Sequence, residues 1–355
     1  MRFVPLGHMG MRLAKLACQA LTRDLVPGRL AALAFACSAL PMAHGASASP
    51  SVPARELQVA DYRSYLPETH SVRRALHAFA ETVQDRSHGR LRVQVLPGTV
   101  PGRPAEQIQA VRQGGQGVPH VMLLAATGLA DLHEDFALFD LPYAVPTEAQ
   151  VDAIMDGEQG GALLSRLPPL GLVGLGWMEN GFRHISTRST ELRTAGDLSG
   201  LAVRTLPAPA STATFQAWGA RPVSLPASRV HEALRSGAVE AQEGFVTSLL
   251  QGRLHEVQKH LWLTGHSYGA QVLVINADAW RTLTPEEQAW LQEAAQAASR
   301  QQRIWAREEV RQDLDSLASL GMTVNEVSPE MVEDLANAAL DVRRQSKRMH
   351  NFTRP

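Results

Sequence analysis

An α/β protein of two similar lobes, spanned by one long helix, is the fold the sequence predicts. Three observations carry it. Two separate strand–helix–strand passages occur in the chain, a faint internal echo links them, and a capped helical run near the end is too long for either passage alone.

In chain order, residues 49–56 are rich in Pro and Ser and read as loose. Residues 70–86 place Val72, Leu76, Phe79 and Val83 at helical spacing, and Gly89 ends that helix. "LRVQVLP" (91–97) alternates as a strand, 103–113 reads as a helix, and "VPHVMLLAA" (118–126) as a second strand. The second passage has "LAVRTLP" (201–207) extended, 211–219 and 228–236 helical, and "AVEAQEGFV" (238–246) extended. "AVRQGGQGVPHV" and "ALRSGAVEAQEG" echo each other as helix end, glycine, strand. Thr284, Pro285 and Glu287 form a capping box with Pro in the first helical position. Nothing breaks the helix before Ser319, and Gly321 stops it. About 35 residues at 1.5 Å each give roughly 50 Å, more than one small lobe.

The N-terminal region reads differently. Arg12, Lys15, Arg23 and Arg29 precede the apolar run "LAALAFACSALPM" (30–42), and small polar residues follow. Basic, apolar and small-residue segments in that order make a secretory signal, residues 1–48. Ala46-Ser47-Ala48 supplies the cleavage site, after Ala48 or after Ala46, and Met11 is an alternative start. The apolar run is too short and Ala-rich for a good membrane span. Cys18 and Cys37, the only cysteines, both lie in this leader. The mature chain then has no disulfide, no thiolate nucleophile and no thiolate metal site. Its loss removes five basic residues and Asp24, which takes the net charge from −1 to −5. An acidic exported chain with no concentrated basic face is not a nucleic-acid binder.

Two motifs suggest chemistry and fail on context. "GHSYG" (265–269) matches the G-x-S-x-G elbow of a secreted α/β-hydrolase with Ser267 as nucleophile. That motif needs a helix after the serine, whereas "AQVLVIN" follows; a plain turn is the simpler reading. "HEVQKH" (255–260) spaces its histidines five apart, so they diverge around a helix instead of sharing a face. No metal or cofactor, and no enzymatic activity, is expected.

Two arginines stand out. Arg183 in "WMENGFRHIST" (177–187) and Arg204 in "LSGLAVRTLP" (198–207) sit among apolar residues on predicted strands. Arginine is rarely buried without a partner. A guanidinium offers a planar fork that matches a carboxylate and stays charged at physiological pH. The partner is either a protein carboxylate or a bound ligand.

These stretches resemble the solute-binding proteins of TRAP (tripartite ATP-independent periplasmic) transporters, the DctP-like group. The resemblance runs in order over about residues 57–330: "FALFDLPYAV" (136–145), "ENGFRHIST" (179–187), "DLSGLAVRTLPAP" (197–209), "ATFQAWGARPVSLP" (213–226), "ALRSGAVEAQEG" (233–244), "LHEVQKHLWLTGHSY" (254–268) and "LTPEEQAWLQEAA" (283–295). It implies a periplasmic binding protein with two α/β lobes, hinged by crossing strands and bridged by a long helix. Lobe I would comprise 55–180 with 270–308, and lobe II 181–269 with 309–355. It implies capture of an organic acid by lobe closure and delivery to the small and large integral membrane subunits of a transporter. A ligand-sensing protein on the same lobes is the alternative within binding. The family's carboxylate-binding arginine falls on Arg204, and a second, assisting arginine on Arg183. Thr127, Tyr143, Trp177 and Phe215 occupy positions that could line the cleft or simply pack in cores.

The chain departs from the family pattern in two places. "EAQEG" (240–244) replaces the usual "DGQEN", so Gly244 stands where an Asn contacts ligand or steadies the arginine. "PASRVH" (226–231) replaces "PFSEVY", so Ala227 stands for an aromatic and Arg229 for an acid. Both losses of volume point to a ligand bulkier than succinate or malate, or one with a second acidic group reaching Arg229.

Overall fold

The computed structural model describes residues 54–63, 66–98 and 100–345; the leader, its cleavage sites and both cysteines lie outside the described residues. The strands are β1 (Arg55–Asp61), β2 (Leu91–Val95), β3 (Val121–Ala125), β4 (Leu172–Thr187), β5 (Ala202–Thr205), β6 (Arg221–Ser224), β7 (Ala241–Phe245), β8 (His260–Asn276) and β9 (Thr323–Glu326). They join in one sheet of order β2-β1-β3-β8-β4-β7-β5-β6, with β9 paired to β8.

Each end of the sheet is parallel. β1 pairs with β2 and β3, and β5 pairs with β6 and β7. Two long antiparallel strands join the ends: β4 with 16 residues and β8 with 17. β3 pairs with the C-terminal part of β8, from Gln271 to Ile275. β9 pairs with its N-terminal part, from His260 to Leu263. Two of the register breaks between β4 and β8 fall close together, at Glu179/Phe182 and Arg183/Ile185. Bulges bend and twist a strand pair locally, so the two crossing strands change direction there.

The apolar pattern explains the packing. Val72, Leu76, Phe79 and Val83 of the helix Ser71–Arg86 are all fully buried, in a core with β1, β2 and the start of the long helix. A second core gathers Phe136, Phe139, Trp177 and Tyr268 on the other sheet face. Beyond the register breaks a third core holds Ile185, Val203, Phe215 and Trp262, and a fourth Val230, Leu234, Leu249 and Leu317.

The long helix runs from Pro285 to Ser319, as its end signals predict. Thr284 Oγ1 accepts from Glu287 N at 3.2 Å, and the Glu287 carboxylate accepts from Thr284 N at 2.8 Å. At the other end Gly321 adopts φ +90°, and Met322 N closes the turn on Leu317 O at 3.0 Å. Its N-terminal part packs in the first core and Leu317 in the fourth, so it bridges both ends of the sheet.

Two expectations needed correction. Residues 55–56 begin β1 and are not loose: Leu57 and Val59 alternate inward and dock between two parallel partners. "GHSYG" is not a turn; it lies inside β8, with Ser267 opposite Arg183 in the ladder. Strand continues to Asn276, so Ser267 lacks the following helix that a nucleophile elbow requires.

Candidate functional site

Opposite residues in a ladder share a sheet face, and successive residues alternate. Across β4 and β7, Arg183 lies opposite Phe245 and Ile185 opposite Glu243, so these four leave one face. His184, Ser186, Gln242 and Gly244 leave the other. Gln242 lies opposite Arg204, which therefore shares its face with Gln242 and Gly244.

The two arginines, both buried, have different partners. Arg183 forms an ion pair through Nε with the Glu243 carboxylate, and its guanidinium lies 4.3 Å from the Phe245 ring centroid. The ring fits because residue 269 is glycine: a Cβ there would sit 2.4 Å from Phe245. Glu243 also accepts from Leu206 N at 2.8 Å and Ser211 Oγ at 3.4 Å, and His266 Nε2 lies 3.8 Å away. Burial opposes its charge, yet the Arg183 guanidinium, with its hydrogen bond and the nearby His266 ring, holds it well below the ordinary carboxylate range. Arg183 is thus already neutralised by the protein.

Arg204 is not. It is 6% exposed, and its Nε and Nη2 both donate to one main-chain oxygen, Leu225 O, at 3.0 and 2.7 Å. Among the described residues it has no carboxylate partner. Its Nη1 makes no hydrogen bond and is not among the sealed-off side-chain atoms. Burial lowers its pKa from 12.5 to about 10, with Glu243 raising it and Arg183 lowering it. It stays cationic at neutral pH, a buried charge lacking a counter-ion.

Asp140 ends the 3₁₀ helix Glu134–Asp140 and is buried. Thr127 Oγ1 donates to its Oδ1 at 2.6 Å. Burial raises its pKa to about 6, against the Thr127 bond and the Arg183 charge, and with the help of Glu243. His184 is driven down to about 3 by burial, His266 and Arg183, and its Nδ1 accepts from Gly265 N at 3.1 Å. The cluster therefore holds two cations and two acids, with both histidines depressed by burial.

The other sequence candidates separate. Thr127 belongs to the cluster through Asp140. Tyr143 has φ +53° and donates its N–H to His266 O at 2.8 Å, while its hydroxyl is sealed without a partner. Trp177 packs between Phe136 and Phe139 and its Nε1 donates to Gly160 O, so it is a core residue. Phe215 is fully buried against Trp218 and His266. Ala227 and Arg229 are exposed on a 3₁₀ turn. Gly244 lies two residues beyond Gln242 on the Arg204 face. Sequence reasoning passed over Glu243, Asp140 and His266. Glu243 was legible in principle, as an acid inside the short predicted strand 238–246.

Among the described residues no group of three or more His, Cys, Asp or Glu is placed to hold a metal ion, and no helix is long and apolar enough to cross a membrane. A surface cavity of about 480 Å³, lined by Arg112, Trp280 and Arg281 among others, lies by the outer ends of β4 and β8, away from the arginines.

Comparison with known proteins agrees with this geometry. The profile of "Bacterial extracellular solute-binding protein, family 7" (DctP) matches residues 62–348. The 2,3-diketo-L-gulonate-binding periplasmic protein YiaO of Escherichia coli is 30% identical over 257 residues, 72% of this chain and 77% of that one. A TRAP periplasmic solute-binding protein from Ochrobactrum anthropi superposes with a TM-score of 0.77 at 31% identity, covering 82% and 90% of the two chains. The sugar-acid-binding protein DctPAm from Advenella mimigardefordensis, solved with galactonate, gives 0.75 at 25% identity, covering 84% and 94%. The fold is the α/β architecture of TRAP periplasmic binding proteins, and members of this family are solute-binding proteins, not enzymes. Two joined α/β halves, a buried arginine without a counter-ion and this family match agree: the chain belongs to the DctP family of TRAP solute-binding proteins.

Proposed function

We propose that this protein captures an organic acid between its two lobes, with Arg204 gripping the ligand carboxylate, and delivers it in the periplasm to the small and large membrane subunits of a TRAP transporter. One observation carries the reading: Arg204 is buried, charged and bonded only to Leu225 O. A ligand carboxylate would supply the missing partner. Arg183 would act indirectly, because Glu243 already occupies its guanidinium.

The lobes would divide as 55–180 with 270–308 and 181–269 with 309–355. The four cores support this division. Their residues sort on either side of it, except Phe182, Tyr268 and Tyr143, which lie at the crossing. β4 and β8 would be the hinge. The ligand binds the closed arrangement better and shifts the population toward it.

The test is a thermal-shift screen of the purified protein against C4-dicarboxylates, 2-oxo acids, sugar acids and aromatic acids, beside Arg204→Ala. A ligand at a hundred times its Kd adds about 2.7 kcal/mol to stability. A hit lost in the variant is the expected outcome; a hit retained would show that the carboxylate is held elsewhere.

A further inference from the structure

The chain passes between its two halves along β4, β8 and the long helix. We propose that Tyr143 is a further, breakable link: a latch that seats in the opposite lobe and sets the balance between open and closed arrangements before any ligand arrives. This rests on the lobe division proposed above and not on Arg204 as the anchor.

Placement decides which motion such a link would resist. β3 runs toward the crossing, where Ala125 pairs with Gln271. β7 and its parallel neighbour β5 run toward it from the other side, where Phe245 pairs with Arg183. The segments that follow β3 and β5 therefore face each other, and opening of the lobes would draw them apart. The 3₁₀ helix Glu134–Asp140 comes after β3 and packs against the helix Pro209–Ala217, which comes after β5. Just beyond that 3₁₀ helix the chain changes sides. Phe139 and Val145 belong to the second core, in lobe I, whereas the Tyr143 ring between them packs on the third, in lobe II. Two main-chain bonds tie the same segment to lobe II: Tyr143 N donates to His266 O at 2.8 Å, and Arg343 Nη1 donates to Pro142 O at 3.3 Å.

Energetics make the link breakable. The φ of +53° lies in the left-handed region, which a Cβ disfavours and which is rare for a side chain this bulky. The hydroxyl is sealed from solvent and has no hydrogen-bond partner among the described residues. An unpaired buried hydroxyl carries the full cost of its desolvation. Both costs apply only while the ring is seated. Once it withdraws, the backbone relaxes and the hydroxyl meets water. Burial of the ring and the two main-chain bonds oppose them. Strain held in place by its surroundings is a feature of switch segments. Phenylalanine would fill the same seat without the hydroxyl cost.

The experiment compares the ligand-free protein with Tyr143→Phe and Tyr143→Ala, each unfolded and refolded to strip any bound acid. Hydrogen exchange at the residue-143 amide reads the seat, because that N–H is bonded to His266 O only while the segment is docked. Small-angle X-ray scattering reads the lobes. Tyr143→Phe should slow the exchange by about tenfold, the factor that 1.4 kcal/mol gives, and shift the scattering toward a more compact form. Tyr143→Ala keeps the backbone cost and loses the ring, so its amide should exchange faster and its scattering should report a more open form. A melting curve shows that each variant is folded. Unchanged exchange in Tyr143→Phe overturns the proposal. So does exchange that responds while the scattering of both variants matches the parent, since Tyr143 would then be a local contact. Lobe closure itself fails by a different result, scattering of the unmodified protein that none of the screened acids changes, and that result would remove the latch as well.

Discussion

Replacing each buried arginine by methionine should move stability in opposite directions. Arg204 is a base whose folded pKa, about 10, lies below its ordinary 12.5. A lowered base pKa means that the charged form is disfavoured by folding, and the full penalty is present at every pH below about 10. At about 1.4 kcal/mol per pKa unit, the shift corresponds to about 3 kcal/mol at pH 7. Methionine removes that penalty but strands the Leu225 carbonyl, which returns about 1–2 kcal/mol. The ligand-free Arg204→Met protein should gain about 1–2 kcal/mol, or about 2–4 °C for a chain of this size. Arg183→Met does the reverse. It leaves the Glu243 carboxylate buried and uncompensated, at a cost of about 3–5 kcal/mol. The assay is calorimetric melting at pH 7.5, after unfolding and refolding to strip any bound acid. If Arg204→Met melts as far below the parent as Arg183→Met does, Arg204 is a structural ion-pair partner and the anchor reasoning is wrong.

Other expectations follow from single contacts. Thr284→Ala removes one half of the capping box and should lower stability by about 1 kcal/mol in urea unfolding. Gly269→Ala places a methyl group 2.4 Å from the Phe245 ring and should cost about 1–3 kcal/mol by overpacking. Asp140 is an acid with a raised folded pKa, so its penalty is present above about 6 and gone below 3.8. Asp140→Asn should be the more stable protein at pH 8, by up to about 3 kcal/mol, and the gap should close by pH 4. A gap that does not vary with pH would show that Asp140 is ionised without strain.

The long helix was legible in the sequence because its end signals are local. Thr284, Pro285, Glu287 and Gly321 fix its limits by chemistry within a few residues. β1 was missed because a short strand among Pro and Ser is set by docking between β2 and β3, which lie 30 or more residues downstream. The same limit governs the site. Both arginines were visible as oddities, but their difference was not. Arg183 meets its counter-ion 60 residues away, through the β4–β7 register. Arg204 reaches a loop carbonyl 21 residues on. Trp177 could have faced a cleft or a core on sequence grounds, and only the assembled sheet put Phe136 and Phe139 beside it.

Gly244 offers a direct test of what the departure from the family pattern does. It shares the Arg204 face, so a side chain restored there would point to the same side as the guanidinium. Its backbone does not adopt a positive φ, and a Cβ would press on the Gln242 side chain, whose Oε1 is nearest at 3.0 Å. That atom ends a flexible side chain whose Nε2 donates to Ser186 Oγ at 3.0 Å, so the amide must yield by a few tenths of an ångström. Gly244→Asn should therefore fold, at a cost below about 1 kcal/mol for partial loss of one neutral hydrogen bond. The added carboxamide takes up space beside the anchor. Binding of six-carbon acids should weaken at least tenfold relative to four-carbon acids, read as the ratio of their Kd values in the two proteins. A tenfold change is 1.4 kcal/mol, within the range for a clash or a lost contact in a filled site. If the ratio does not move, the space at Gly244 is not ligand space. The missing asparagine would then bear on Arg204 itself, and both classes of acid should tighten or weaken together.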